Sequence, residues 1–390
     1  MRTLVIVRSL KIGGMERVAV NLADAFAEAG HESHLMVYRK REKGLAPEHP
    51  DVKIHVFPLR WIQRLTGLGL LIELISRLLL NPLIRRSHFV WTGFLGGYLL
   101  KAWLWRFERQ HGRLDRIIFR GLGTFELVWS YRDDRARFVM ENNLPIQETS
   151  WKQKLFARCL FPGKHLVAVS RGVADNIRLS LEQWNVRPAS LSIIVNPCPV
   201  ARIRQRMQED EPALPSQPYI VNVARLVTQK DHDLLLRAYA SANPRELLVI
   251  VGDGALRETL QKKAKSLGVA EKVLFVGQRD NPYPWMRHAR LFVLSSIVEG
   301  MGIVLTEALA CGTPVISVDC PGGIREVLKG DLENAIAEHS EEGLAEKIRH
   351  CLQGPKPVVN DAWLQDFLPC KVVEHFLEHQ HACSNFKNQC

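Results

Sequence analysis

Twice along this chain a short β-branched run leads through a glycine-bearing turn into a segment with apolar residues at helical spacing. Residues 4–7 form the first run, Gly13 and Gly14 lie in the turn, and Val18, Leu22, Ala25, Phe26 and Ala29 keep a helical period up to Gly30. Residues 34–38 then resume the extended pattern. A period near 3.6 held between two extended runs marks a βαβ unit with parallel strands. Further short strands are expected at 116–119, 138–140, 166–170 and 190–195, the last closed by Asn196–Pro197. After a polar, proline-rich stretch at 205–218 the alternation restarts. Strands are expected at 219–224, 247–251, 273–276, 291–294 and 314–318, with helices at 234–240 and 256–268. Repeated strand–helix alternation on both sides of a linker predicts an α/β chain of two doubly wound halves with a cleft between them. Ligands of such sheets bind beyond the carboxyl ends of the strands. The expected domains are 1–204 and 219–370, joined by 205–218 and followed by a tail at 371–390. A length of 390 residues with 46% apolar composition suits two cores of this kind.

Charge divides the halves. Residues 1–200 carry 30 Lys and Arg against 17 Asp and Glu, and residues 201–390 carry 22 against 24. A basic first half suits anionic membranes, phosphorylated substrates or nucleic acid. Nucleic-acid binding would need a basic, aromatic strand face or a recognised helix motif, and neither is present. Residues 61–107 concentrate Leu, Trp and Arg, but Glu73, Arg77, Arg85, Arg86 and Lys101 break the run into pieces too short to span a bilayer. Trp91, Trp103 and Trp105 beside Arg and Lys fit a helix lying on an anionic membrane; core-facing helices are the other reading. Eight cysteines without a C-x-x-C pair, and an N-terminus that runs straight into a strand, predict free thiols in a reducing cytoplasm. His379, His381 and Cys383 could suggest a metal, though a frayed tail explains them as well. His88 reads as a helix-surface residue rather than a base.

The densest chemical signal is SSIVEGMGIVLTEALACGTPVISVD at 295–319. A strand ends at Ser296, and Glu299, Gly300, Met301 and Gly302 form a turn. A helix then starts at Ile303 and stops at Gly312. Its first amides, around Gly302, Ile303 and Val304, face forward without partners and can hold an anion. Glu299 and Glu307 are eight residues apart, about 12 Å along a helix. That spacing could place one carboxylate near a sugar and the other near a ribose. Arg225 and Lys230, just after the strand at 219–224, supply the cations that an anionic ligand needs. Gly252–Asp253–Gly254 lacks a third glycine, because Arg257 stands there, so it gives little support to a nicotinamide site.

With these residues in view, the chain resembles the retaining, metal-independent glycosyltransferases of family 4. Glu299 and Glu307 match the family's E-x7-E pattern. ARLVTQKD at 224–231 matches its G-R-L-x-x-x-K-D stretch, with Ala224 in place of glycine. Gly13–Gly14–Met15–Glu16 matches the loop after the first strand, and 252–257, 273–277 and 319–323 match three further turns. The resemblance implies the GT-B architecture, two Rossmann-like doubly wound domains facing a central cleft. It implies that Arg225 and Lys230 hold a donor diphosphate and that Glu307 binds the ribose. Glu299 would lie near the donor hexose, and Gly13 and Gly14 would admit the pyrophosphate. The backbone from Gly277 to Arg279 would hold the base. Relatives carry a histidine of the first domain at the reaction centre. Here Arg120–Gly121 and Glu141–Asn142 stand in the two places where it would fall, and Glu141 is the candidate replacement. The implied donor is a nucleoside-diphosphate sugar, with UDP favoured, and no metal or other cofactor is required. The implied acceptor is a glycolipid or oligosaccharide, such as lipopolysaccharide core or a lipid-linked glycan. The enzyme would sit peripherally on the cytoplasmic face of an inner membrane. The alternative is a non-catalytic nucleotide-sugar-binding subunit of the same fold.

Overall fold

The computed structural model describes residues 1–11, 13–39, 44–80, 88–144 and 151–378. The chain divides into two compact units. The first contains Met1–Pro197 and the segment from Pro369 onward; the second is Cys198–Leu368.

The first unit holds a seven-stranded parallel sheet. Its strands are β1 (Arg2–Ser9), β2 (Glu32–Arg39), β3 (Lys53–Val56), β4 (Arg116–Arg120), β5 (Ala136–Met140), β6 (His165–Ala168) and β7 (Ser190–Ile193), in the spatial order 3-2-1-4-5-6-7. Helix α1 (Gly14–Glu28) connects β1 to β2 and buries Val18, Leu22, Ala25 and Phe26. The strand β3 is not among the expected ones: Lys-Ile-His-Val alternates, but over only four residues, and its Ile54 and Val56 are exposed. Between β3 and β4 lie α2 (Leu59–Leu65), α3 (Leu68–Ile75), a π-helical turn (Ser76–Leu80) and α4 (His88–His111).

Here the two readings of residues 61–107 divide by side chain. Trp103 is half-buried and stacks on the buried Phe107 with ring centroids 5.1 Å apart. Trp61, Leu65, Leu71, Leu78, Trp91 and Trp105 are exposed. Among the described residues no helix is long and apolar enough to cross a membrane.

The second unit holds a six-stranded parallel sheet of β8 (Tyr219–Val223), β9 (Leu247–Val251), β10 (Val273–Gly277), β11 (Leu291–Leu294), β12 (Val315–Val318) and β13 (Ile336–Ala337), in the order 10-9-8-11-12-13. That is the strand order of the first sheet without its last member. β8, β9, β11 and β12 are largely buried and mostly apolar, as expected where helices cover both faces of a parallel sheet, whereas β10 at the edge is mostly half-buried.

The unit boundaries lie away from the expected ones. The stretch 205–218 is polar enough to read as a free linker, yet its carboxylates are bound within the second unit. Asn281 Nδ2 donates to Glu209 Oε2 at 2.7 Å and to Arg206 O at 2.8 Å, and Trp285 Nε1 donates to Glu211 Oε2 at 3.3 Å. Residues 371–378, read as tail, form most of the helix Pro369–Glu378, which packs back on the first unit. Val372, Val373 and Phe376 are buried, and each such side chain stabilises by about 1.5–3 kcal/mol. Arg116 donates to the carbonyls of Phe376 and Leu377, each at 3.0 Å, supplying partners for carbonyls that a helix end leaves open.

Candidate functional site

In the second unit the chain leaves β8 and β11 in opposite directions, and these two strands are neighbours. Such a reversal opens a crevice at the carboxyl ends of the strands. The loop after β8 carries Arg225 and Lys230, and the loop after β11 carries Glu299. The two loops are stitched together. Ile297 N donates to Gln229 O at 2.9 Å, Ser295 Oγ to Lys230 O at 2.9 Å, and Gln229 Nε2 to Val298 O at 3.0 Å. Lys230 closes a short 3-10 turn and is followed by Asp231, whose carboxylate caps the next helix by accepting from Leu234 N.

This stitching brings Lys230 Nζ to 2.5 Å from Glu299 Oε1, and Ser296 Oγ donates to the same oxygen at 2.6 Å. Both members of the pair are largely removed from water, at 17% and 10% side-chain exposure, so solvent screens their attraction poorly. The backbone of Glu299 is held from the other side by the turn after β12. Glu299 N donates to Pro321 O at 3.1 Å, and Gly323 N donates to Glu299 O at 3.2 Å. Gly322, between them, has φ +120, and a Cβ there would stand 1.5 Å from Glu299 O. Only glycine permits this approach.

Five residues of the expected grip therefore follow directly on Glu299. Gly300, Met301 and Gly302 lead into helix Ile303–Ala310, with Gly302 as a left-handed N-cap at φ +75. No acidic residue stands in its first turn, the position where negative charge is favoured. Further along the same helix Glu307 is buried and accepts from Tyr283 Oη at 3.3 Å. Arg225 is exposed, and its guanidinium has no partner among the described residues. Gly277 ends β10 at φ +78, and its carbonyl accepts from Gly252 N at 2.8 Å. Arg279 lies over the Trp285 ring, 5.6 Å from its centroid. A cavity of about 330 Å³ opens here, lined by Glu209, Asp210, Glu211, Gln278, Arg279 and Asp280 among others.

The remaining candidates, Gly13, Gly14 and Glu141, belong to the first unit. Gly13 is the N-cap of α1, and a Cβ on it would meet Glu16 Oε2 at 2.5 Å. Glu16 is buried and lies 3.6 Å from Lys11 Nζ. An acid already stands in the first turn of α1, the position that favours negative charge, whereas the helix after Glu299 has none there. Glu141, at the end of β5, is gripped by Arg120 from the end of β4. Burial pushes its carboxyl above the usual range, against the pull of that guanidinium.

Sequence reasoning missed Ser296, Gln229, Tyr283 and Asn196. Ser296 could have been found, since a hydroxyl three residues before a turn carboxylate is a local pattern. Tyr283 meets Glu307 across 24 residues, and no spacing rule announces such a pair. His88 carries no described side chain, and His379, His381 and Cys383 lie outside the described residues.

Residues 204–360 match the family model for glycosyl transferases group 1. The chain is thus a glycosyltransferase, with a group 1 transferase region over residues 204–360. It is 28% identical, over 92% of its length and 90% of the relative's, to the N-acetylgalactosamine-N,N'-diacetylbacillosaminyl-diphospho-undecaprenol 4-alpha-N-acetylgalactosaminyltransferase of Campylobacter jejuni. It is 32% identical to the lipopolysaccharide core biosynthesis glycosyltransferase LpsE of Rhizobium meliloti, over 41% of this chain and 52% of that protein. Among solved structures, Anabaena HepE in complex with UDP and glucose aligns over 97% of this chain and 99% of its own, with TM-score 0.67 and 17% identity. WaaG, a glycosyltransferase involved in lipopolysaccharide biosynthesis, aligns over 97% and 96% with TM-score 0.58 and 17% identity. The glycosyltransferase thus has the GT-B fold.

Proposed function

We propose that this glycosyltransferase moves a hexose or N-acetylhexosamine from a UDP-sugar, with retention of anomeric configuration, onto the saccharide of a lipopolysaccharide core or lipid-linked glycan. The observation that carries the reading is the Lys230–Glu299 pair at the mouth of helix Ile303–Ala310, which has no acid in its first turn. Lys230 has three donors, and Glu299 engages one side of it. An arriving diphosphate would find the remaining donors, the helix amides and the unpaired guanidinium of Arg225. Glu299 would then be free to accept from donor-sugar hydroxyls. Glu307, held by Tyr283, would bind the ribose, and the backbone from Gly277 to Arg279 the base. Gly13 and Gly14 would border the pyrophosphate, and Glu141 is the first unit's candidate for contact with the reacting sugar.

As the sugar–phosphate bond breaks, negative charge grows on the diphosphate. Cations and amides fixed in place therefore act more strongly on the transition state than on the bound donor. The acceptor hydroxyl would attack from the leaving group's own face. UDP is favoured because HepE, a structural neighbour, is seen with UDP.

A peripheral position on the cytoplasmic face of a membrane is supported by α2–α4. Trp61, Leu65, Leu71, Leu78, Leu79 and Trp105 are exposed there, and Arg64, Arg77 and Arg109 lie among them. Exposed Leu and Trp interleaved with Arg suit the boundary of anionic lipid.

Transfer from a panel of UDP-sugars to a lipid-linked oligosaccharide, in vesicles containing anionic lipid, tests the proposal. The expected product has the anomeric configuration of the donor, read by NMR, and vesicle flotation weakens as salt rises. An inverted linkage would overturn the retaining reading. Indifference to anionic vesicles at low salt would overturn the membrane reading.

A further inference from the structure

The C-terminal edge of the first sheet holds a network of three side chains that the donor grip does not use. Arg120 ends β4, Glu141 follows β5, and Asn196 follows β7. Arg120 Nη2 lies 2.5 Å from Glu141 Oε1 and donates to Asn196 Oδ1 at 2.6 Å, while Asn196 Nδ2 donates to Glu141 Oε2 at 3.4 Å. The three are separated by 21 and 55 residues in sequence, so only the sheet brings them together. β4 is the neighbour of β1 at which strand order reverses, the place where sheets of this kind receive ligands.

The network is layered. Arg120 is fully buried, Asn196 is 1% exposed, and the Glu141 side chain is the most accessible at 10%. Arg120 also keeps two buried groups, Nε and Nη1, without partners. A buried guanidinium with unmet donors costs stability, and a well-packed apolar residue in the same volume is often neutral or better. A purely structural role therefore accounts poorly for an arginine here.

Resting on the glycosyltransferase reading above, we propose that Arg120 and Asn196 are positioning residues that hold Glu141 as an ionised carboxylate, presented to accept a hydroxyl of the reacting sugars. Arg120 supplies the charge that keeps Glu141 ionised, and Asn196 fixes the orientation of its second oxygen. Two opposing influences bear on Glu141. Burial pushes its carboxyl upward, and so does Glu16 from α1, whose own partner is Lys11; Arg120 and Asn196 pull it down. Removing Arg120 leaves only the upward influences and the weak Asn196 bond, so Glu141 would hold its proton to higher pH.

The test measures the pH dependence of kcat/KM for wild type, Arg120→Gln, Arg120→Lys and Asn196→Ala. In wild type the rate falls on the acid side as Glu141 takes up a proton. Arg120→Gln should move that acid limb to higher pH and lower kcat roughly 10- to 100-fold, the scale of a misplaced catalytic group. The thermal shift produced by UDP should stay near wild type, because the cations proposed to grip the diphosphate, Arg225 and Lys230, lie in the second unit. Arg120→Lys keeps the charge and should return the limb towards its wild-type position without the full kcat, since an ammonium lacks the planar fork. Asn196→Ala should lower kcat less. An unmoved acid limb in Arg120→Gln overturns the proposal, as does loss of UDP binding in step with transfer. If wild type transfers no sugar, it is the functional reading that fails. NMR titration of the Glu141 carboxyl in wild type and Arg120→Gln then still decides the inference, because equal titration in both would overturn it.

Discussion

In the second unit, the loops on either side of the strand reversal hold each other through backbone carbonyls and short side chains, and the ion pair Lys230–Glu299 rests on that frame. In the first unit the reversal has the same strand order, but its ion pair, Arg120–Glu141, is set by strand ends and Arg120 is sealed from water. One helix start has no acid in its first turn, and the other has Glu16 there. The same strand order thus carries two different arrangements, a loop-held pair beside a helix start without an acid and a strand-end pair sealed on its arginine side. The sheet supplies the location, and the loop residues decide what can bind there.

Breaking the stronger grip should produce the largest effect. Lys230→Met or Glu299→Gln should reduce transfer by about 10³-fold, the scale of one fixed charge-stabilising group. Steady-state kinetics beside circular dichroism would check this, and transfer within a few-fold of wild type would dissolve the contrast between the units. Next in size is Gly322→Ala. Its Cβ would strike Glu299 O, so the turn must move and carry Glu299 with it. Transfer should fall roughly 100-fold, with a lowered melting temperature. Full activity there would mean that Glu299 does not depend on the turn after β12.

The smallest expected effect concerns acid stability. In the first unit His34 is fully buried, 3.0 Å from His55 Nε2 and 3.2 Å from Glu32 Oε1, and burial first, then His55, lowers it to about 4. An unfolded histidine titrates near 6.5, so the unfolded chain binds this proton more readily. Stability is then complete above pH 6.5 and declines as pH falls towards 4, by about 3 kcal/mol across that window. His232 of the second unit, also buried and lowered to about 4, should act in the same direction. His34→Phe should therefore flatten only part of the slope of urea midpoint against pH. An unchanged slope would show that the first unit contributes none of it.

Much of the fold was legible because buried parallel strands are apolar throughout and helices between them keep a fixed period. Strands 247–251 and 291–294 stand in the structure as expected. β3 was not legible, because it is only four residues long and three of them are exposed. The helix Pro369–Glu378 reads as a tail until Phe26 and Arg116 of the first unit are placed beside it. Trp103 and Trp105 stand two residues apart on α4, one half-buried and one exposed, so composition alone could not sort them. Lys230, Glu299 and Gly302 could be picked out because turn glycines, a helix start and nearby charges lie within short stretches of chain.

By itself the sequence determined where parallel strands and helices alternate, and which loops could carry a phosphate grip, because these depend on neighbours within a few residues. Tertiary structure alone decided that Tyr283 bonds Glu307, that Arg120 and Asn196 converge on Glu141, and that the chain's last described helix joins its first unit. Those contacts join residues tens or hundreds of positions apart. Their energies depend on burial and angle, which the linear order of residues does not contain.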